Sequence, residues 1–83
     1  MNLVVLTPDK ELFHGTVTSV NVPAIGGRFE VLRGHAPIVA ALEKGEVRFL
    51  TKKGEKKSIR IEQGFIEVLR DEVSLLVSGV VET

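Results

Sequence analysis

Two histidines, four serines, two glycine-marked bends and one cluster of lysines are the residues with which this chain could do chemistry. His14 and His35 have no cysteine, histidine or carboxylate at a metal-ligand spacing, and the chain has no cysteine at all, so no metal centre is expected. Ser19, Ser58, Ser74 and Ser78 all fall on strand patterns, and none sits in the glycine-flanked elbow that presents a nucleophile. Neither Gly26-Gly27 nor Gly34 opens a lysine-bearing loop ahead of a helix, which is what a phosphate cradle requires. Lys52, Lys53, Lys56 and Lys57, interrupted by Glu55, read most simply as a solvated hairpin tip that discourages edge-to-edge pairing. Small all-β domains can carry biotin or a lipoyl group on a hairpin lysine. Biotin attachment needs a Met-Lys-Met setting, however, and the single methionine is Met1, while the Asp9-Lys10 pair lies close to the N-terminus instead of at a mid-chain tip. No catalytic, cofactor-binding or metal site is therefore expected. His14, ahead of Gly15, reads as a solvated turn residue. His35, between Gly34 and Ala36-Pro37, has its direction fixed by a bend on either side and reads as a hydrogen-bonded structural histidine.

The elements that would hold these residues are short strands, because period-two alternation recurs between turn residues. Thr16, Thr18, Val20 and Val22 share one face, with Val17, Ser19 and Asn21 on the other, until Pro23 closes the segment. In 46–51, Val47 and Phe49 oppose Glu46 and Arg48; in 58–62, Ile59 and Ile61 oppose Ser58, Arg60 and Glu62. Val73, Leu75 and Val77 repeat the pattern. Lys52-Lys53-Gly54-Glu55 reads as one hairpin turn, and Arg70-Asp71-Glu72 as another between 65–69 and 73–77. Leu32, Leu50 and Leu76 have the opposite parity to their inward neighbours, which makes them outward-facing apolar residues or members of a second core face. The stretch 35–45 satisfies two templates: Pro37 followed by Ala40-Ala41-Leu42-Glu43-Lys44 and Gly45 suits a short helix, whereas the β-branched Ile38 and Val39 suit a strand.

At 83 residues with 43% apolar and 27% charged residues, a single soluble all-β domain spanning 1–83 is expected, with eight to ten strands in a sandwich or barrel. No apolar run approaches the ~20 residues of a membrane span, and no basic segment precedes an apolar one as in a leader peptide. Eleven basic residues balance eleven acidic ones, so nothing pulls the chain as a whole toward nucleic acid or anionic lipid. With no Trp or Tyr, and only Phe13, Phe29, Phe49 and Phe65 aromatic, the stacking platforms of single-strand nucleic-acid binders are missing as well. A chain this small, with no disulfide to brace it, gains from lasting association with something larger.

The run Gly26-Gly27-Arg28-Phe29-Glu30-Val31-Leu32-Arg33-Gly34-His35-Ala36-Pro37, continuing through small and apolar residues to Gly45, resembles the β-sandwich of the epsilon subunit of F-type ATP synthase. Two flanking segments resemble the same family: Thr7-Pro8-Asp9-Lys10-Glu11-Leu12-Phe13-His14-Gly15, and Gln63-Gly64-Phe65-Ile66-Glu67-Val68, in which Gln63 replaces the first of two glycines. Arg33 stands where that family commonly has proline, and Arg28 where it has an acidic or small residue. The resemblance spans about 3–77. It implies a ten-stranded β-sandwich of two sheets, with 35–45 extended, in a non-catalytic rotor subunit of the central stalk. Such a subunit couples the gamma subunit to the c-ring during proton-driven ATP synthesis, as a peripheral part of the complex at the cytoplasmic face of the bacterial inner membrane. It implies no nucleic-acid partner and reaches the membrane only through the complex. Because the chain ends at Thr83, the resemblance extends to the sandwich and not to the C-terminal helical hairpin that follows it in the family, so no inhibitory arm and no nucleotide site are expected. The gamma and c-ring contacts it suggests are Arg28, Glu30, Leu32, Gly34, His35, Ala36 and Pro37. Leu50 and Leu76 join Leu32 as candidate apolar contacts to gamma. The alternative is a free-standing β-sandwich that binds a peptide or small ligand, and an uncovered apolar face distinguishes the two.

Overall fold

The computed structural model describes residues 1–81, and every regular element among them is a strand. These are β1 (Asn2–Leu6), β2 (Glu11–Val22), β3 (Phe29–Leu32), β4 (Ile38–Leu42), β5 (Gly45–Thr51), β6 (Lys56–Ile61), β7 (Gln63–Leu69) and β8 (Glu72–Ser78). Hydrogen bonding runs β4-β7-β8-β1-β2-β5-β6, with β3 also paired to β2. The first layer is β4-β7-β8-β1 with the start of β2; the second is β3, the end of β2, β5 and β6. All pairs are antiparallel except β1 with β8.

The twelve-residue β2 serves both layers because it carries a bulge. Val17 pairs with Thr51 and Ser19 with Leu50, so Thr18 is an extra residue without a partner of its own. An inserted residue bends a strand and reverses its parity. The expected face of Thr16, Thr18, Val20 and Val22 is corrected accordingly: Val17, Val20 and Val22 are buried together, while Thr16 and Thr18 face solvent. Strict alternation does not reveal a bulge, and the core takes the apolar residue on each side of it.

The inward residues are mostly β-branched or leucine. Leu3, Val5, Val20, Val31, Val47, Ile61, Ile66, Val73 and Leu75 are sealed from solvent, and Phe13 packs against Phe49 with ring centroids 4.6 Å apart and planes tilted by 53°. No buried side-chain polar atom among the described residues lacks a partner. The stretch that suited both helix and strand is the strand β4, pairing β7 from Ile38 opposite Val68 to Leu42 opposite Gly64. Between Pro37 and Gly45 a helix would have about two turns, too few to offset its nucleation cost, while the strand gains a full ladder.

Eight strands form among the described residues instead of the ten expected. Two further pairings stop at single bridges, Ala24 with Leu42 and Val81 with Arg60. Pro23 before Ala24 has no N–H to donate, and Gly26-Gly27 turns the chain away with positive φ immediately after, so a ladder cannot extend there. The two expected hairpins form. At Lys52–Glu55, Gly54 takes a φ of 90° and Thr51 N–H donates to the Glu55 carbonyl at 2.9 Å. At the other, Arg70 and Asp71 both adopt positive φ, as a two-residue turn whose twist matches the flanking strands requires.

Candidate functional site

The residues proposed from sequence as partner contacts lie in a line along β3, not around one point. Val31 points into the core and Phe29 is half-buried, which turns Glu30 and Leu32 outward. Arg28, immediately before β3, is tied down: its Nε donates to Asn21 Oδ1 at 2.8 Å and a terminal nitrogen donates to the Glu46 carbonyl at 2.5 Å. Glu30 pairs opposite Asn21 and shares the outer face with Arg28. Beyond Leu32 the chain reverses through Arg33-Gly34. His35 N–H donates to the Leu32 carbonyl at 3.0 Å, and Gly34 has φ 82°, the left-handed position of a type II turn. Gly34 N–H donates to Asp71 Oδ1 at 3.0 Å, which fastens this turn to the β7–β8 hairpin. The half-buried His35 lies 6.1 Å from the Phe29 ring, centroid to centroid, and its Nδ1 sits 2.6 Å from the Ala36 carbonyl, a hydrogen bond when Nδ1 carries the proton. Ala36 and Pro37 are exposed and lead into β4. Arg28 and the Gly34–Pro37 turn thus stand at opposite ends of β3. Among the described residues β3 pairs with β2 only, so its far edge is open.

The three outward leucines do not share a surface. Leu32 and Leu50 both pair with Ser19 on the outer face of the second layer, whereas Leu76 lies on the outer face of the first. That first-layer face gathers most of the large apolar side chains that remain exposed among the described residues. Register places Ala41, Phe65, Leu76 and Leu6 in one row across β4, β7, β8 and β1. Phe65 and Leu76 remain 58% and 54% exposed, and Ile25, whose N–H donates to the Ala41 carbonyl, is 66% exposed at the row's end. Val39 and Leu69 extend the surface toward the Gly34–Pro37 turn, at 70% and 50% exposed. A cleft of about 500 Å³ crosses the row between Pro8, Ile25, Phe65 and Leu76. Beneath it β7 and β8 approach so closely that a Cβ at Gly64 would stand 2.6 Å from the Leu76 carbonyl oxygen.

Apart from Leu76, sequence reasoning did not assign this face, although the signal is present. β7 and β8 read Gly-Phe-Ile-Glu-Val-Leu and Val-Ser-Leu-Leu-Val, with apolar residues at both parities, the pattern of a strand covered on both sides.

Apart from Leu32 and Leu50, the outer face of the second layer is polar. Arg48 Nε donates to Glu46 Oε1 at 2.6 Å. That hydrogen bond, aided by the charges of Arg48, Arg28 and Arg60, holds the Glu46 carboxyl below its ordinary value against the opposing effect of desolvation. Exposed pairs such as Lys44–Glu62 at 4.0 Å and His14–Glu11 at 3.7 Å contribute little to stability. His14 lies within β2 opposite Val4, a strand position rather than the turn read from sequence. No group of three His, Cys, Asp or Glu side chains that could hold a metal occurs among the described residues.

The fold is thus a two-layer all-β sandwich in which, among the described residues, nothing covers the apolar face of the first sheet. The sequence matches the family described as ATP synthase, Delta/Epsilon chain, beta-sandwich domain over residues 1–83, and the chain belongs to that family. It is 42% identical over 78 residues to the ATP synthase epsilon chain of Chlorobium limicola, covering 94% of this chain and 89% of that one. To the ATP synthase epsilon chain of Leptospira borgpetersenii serovar Hardjo-bovis it is 46% identical over 77 residues, covering 92% of this chain and 59% of that one. In fold it matches a chain in the cryo-EM structure of the Euglena gracilis mitochondrial ATP synthase OSCP/F1/c-ring, with TM-score 0.88 and 23% identity over 95% of this chain and 51% of that one. A chain of the Tetrahymena thermophila mitochondrial ATP synthase central stalk/c-ring matches with TM-score 0.82 and 16% identity, covering 99% of this chain and 66% of that one.

Proposed function

We propose that this chain is a non-catalytic rotor element of an F-type ATP synthase, binding the gamma subunit and seating it on the c-ring. The observation that carries the reading is the uncovered row Ala41, Phe65, Leu76 and Leu6, with Ile25 beside it, on a chain of this family. Contiguous exposed apolar surface of this kind marks an interface, and permanent interfaces are the more apolar ones. A free-standing ligand-binding sandwich has no use for it.

In this reading gamma covers the first-layer face, and Leu76 is the one of the three outward leucines that meets it. The line Arg28, Glu30, Leu32, Gly34, His35, Ala36 and Pro37 faces the polar loops of the c-ring and the adjoining part of gamma. The turn at Gly34 is held by backbone bonds and by Asp71, so little freedom remains to be lost on docking. Torque passes through a close-packed interior that resists deformation. The chain works as a single domain, peripheral to a membrane complex, at the cytoplasmic face of the bacterial inner membrane.

Native mass spectrometry of the chain mixed with the gamma subunit of the same cell tests the reading. A one-to-one complex that is lost when gamma lacks its foot is the expected result. A folded chain that forms no complex with intact gamma contradicts it.

A further inference from the structure

Glu67 lies in the middle of the apolar face. Val39 stands beside it on β4 and Ser74 on β8, while Phe65 and Leu69 precede and follow it on the same face of β7. It is exposed, and it makes no ion pair or hydrogen bond with any described side chain. Arg70, the cation nearest in sequence, occupies the turn beyond Leu69, and Lys44, at the far end of the neighbouring β4, pairs with Glu62 instead. In the free chain water solvates this carboxylate. A partner that covers Val39, Phe65, Leu69 and Leu76 removes that water, and a desolvated carboxylate without a partner is strongly unfavourable.

Resting on the proposed docking of gamma to this face, we infer that the gamma surface carries a lysine or arginine that meets Glu67. The contact is an apolar patch with one cation set into it, and Glu67 is the residue that fixes register and excludes wrong partners. Four apolar contacts of similar size around one centre would tolerate sliding by a strand spacing. A single buried charge pair does not, because any shifted register leaves both charges desolvated and unpaired. The carboxylate stands on a strand paired on both sides, so its position is set by the sheet and not by a loop.

The test measures dissociation constants and off-rates of the intact chain with the gamma subunit for wild type, Glu67→Gln and Glu67→Leu, with folding followed by urea unfolding. Because Glu67 has no side-chain partner among the described residues, all three are expected to unfold alike. With a cation opposite, Glu67→Gln weakens binding on the order of 30-fold or more, mainly by faster dissociation, since the partner's charge is left buried and alone. Glu67→Leu weakens it as well, although leucine enlarges the apolar patch. Reversing the partner's cation to glutamate, combined with Glu67→Lys, restores the complex. Binding that is unchanged in Glu67→Gln, or tightened in Glu67→Leu, overturns the inference while leaving gamma docking intact. Wild type that fails to bind gamma overturns the docking reading itself.

Discussion

Leu75 and Leu76 are adjacent in β8 and point in opposite directions, and alanine at each should separate folding from docking. Leu75 is sealed in the core, pairing opposite Ile66 on one side and Val5 on the other. Truncating such a leucine costs about 2–5 kcal/mol. A chain of 83 residues has a total stability of roughly 4–12 kcal/mol, so a large part of it goes. Leu76 is already 54% exposed, and its loss should change folding by less than about 1 kcal/mol. Its remaining exposed surface is what a partner buries. Full burial of a leucine contributes about 1.5–3 kcal/mol, so roughly half of that, about a 4- to 15-fold change in dissociation constant, belongs to docking. Urea unfolding read as the midpoint at constant slope gives the first quantity, and titration with gamma gives the second. The expected outcome is a large midpoint shift for Leu75→Ala, almost none for Leu76→Ala, and weakened gamma binding for the still-folded Leu76→Ala. Equal destabilisation by both, or undiminished binding by Leu76→Ala, would refute the division of β8 into a core face and a docking face.

Gly64→Ala places a methyl 2.6 Å from the Leu76 carbonyl oxygen and 3.0 Å from Val77 Cγ1, so β7 and β8 must separate. A loss of about 1–3 kcal/mol is expected in the same unfolding assay, and an unchanged midpoint would show that the pair yields without cost. His35→Ala is expected to weaken assembly with gamma and the c-ring more than it lowers the unfolding midpoint; equal effects would make it a structural residue. For Glu46, the depressed folded pKa means that its contribution is present above the ordinary value of 4.5 and is lost as pH falls through the lowered folded value. Carboxyl-carbon NMR of Glu46 should show the titration moving up toward the ordinary value in Arg48→Ala; no movement would deny the hydrogen bond its role.

Much of the fold is legible in the alternation of 46–49 and 58–62, because there one parity is apolar and the other polar, and in 73–77, where Val73, Leu75 and Val77 share the buried parity although Leu76 stands on the other. Alternation fails at Thr18, where one unpaired residue reverses the pattern with no composition signal to announce it. It is silent over 38–42, because the deciding factor is the ladder offered by β7, a segment more than twenty residues away. The seven residues marked by resemblance are where a strand and a turn place them, but a linear run of sequence becomes a line along a sheet edge, not a pocket. The first-layer face escaped attention for a further reason. Leu6, Ala41, Phe65 and Leu76 come from four strands, and only the register of β4-β7-β8-β1 brings them into one row.

The central claim, that gamma covers the first-layer face, is tested most directly by placing a photo-crosslinking side chain at 76 and, separately, at 50 in the assembled ATP synthase. These positions lie on opposite outer faces of the sandwich. The account predicts a cross-link to gamma from position 76 and none from position 50. A cross-link to gamma from position 50 with none from 76 would contradict it.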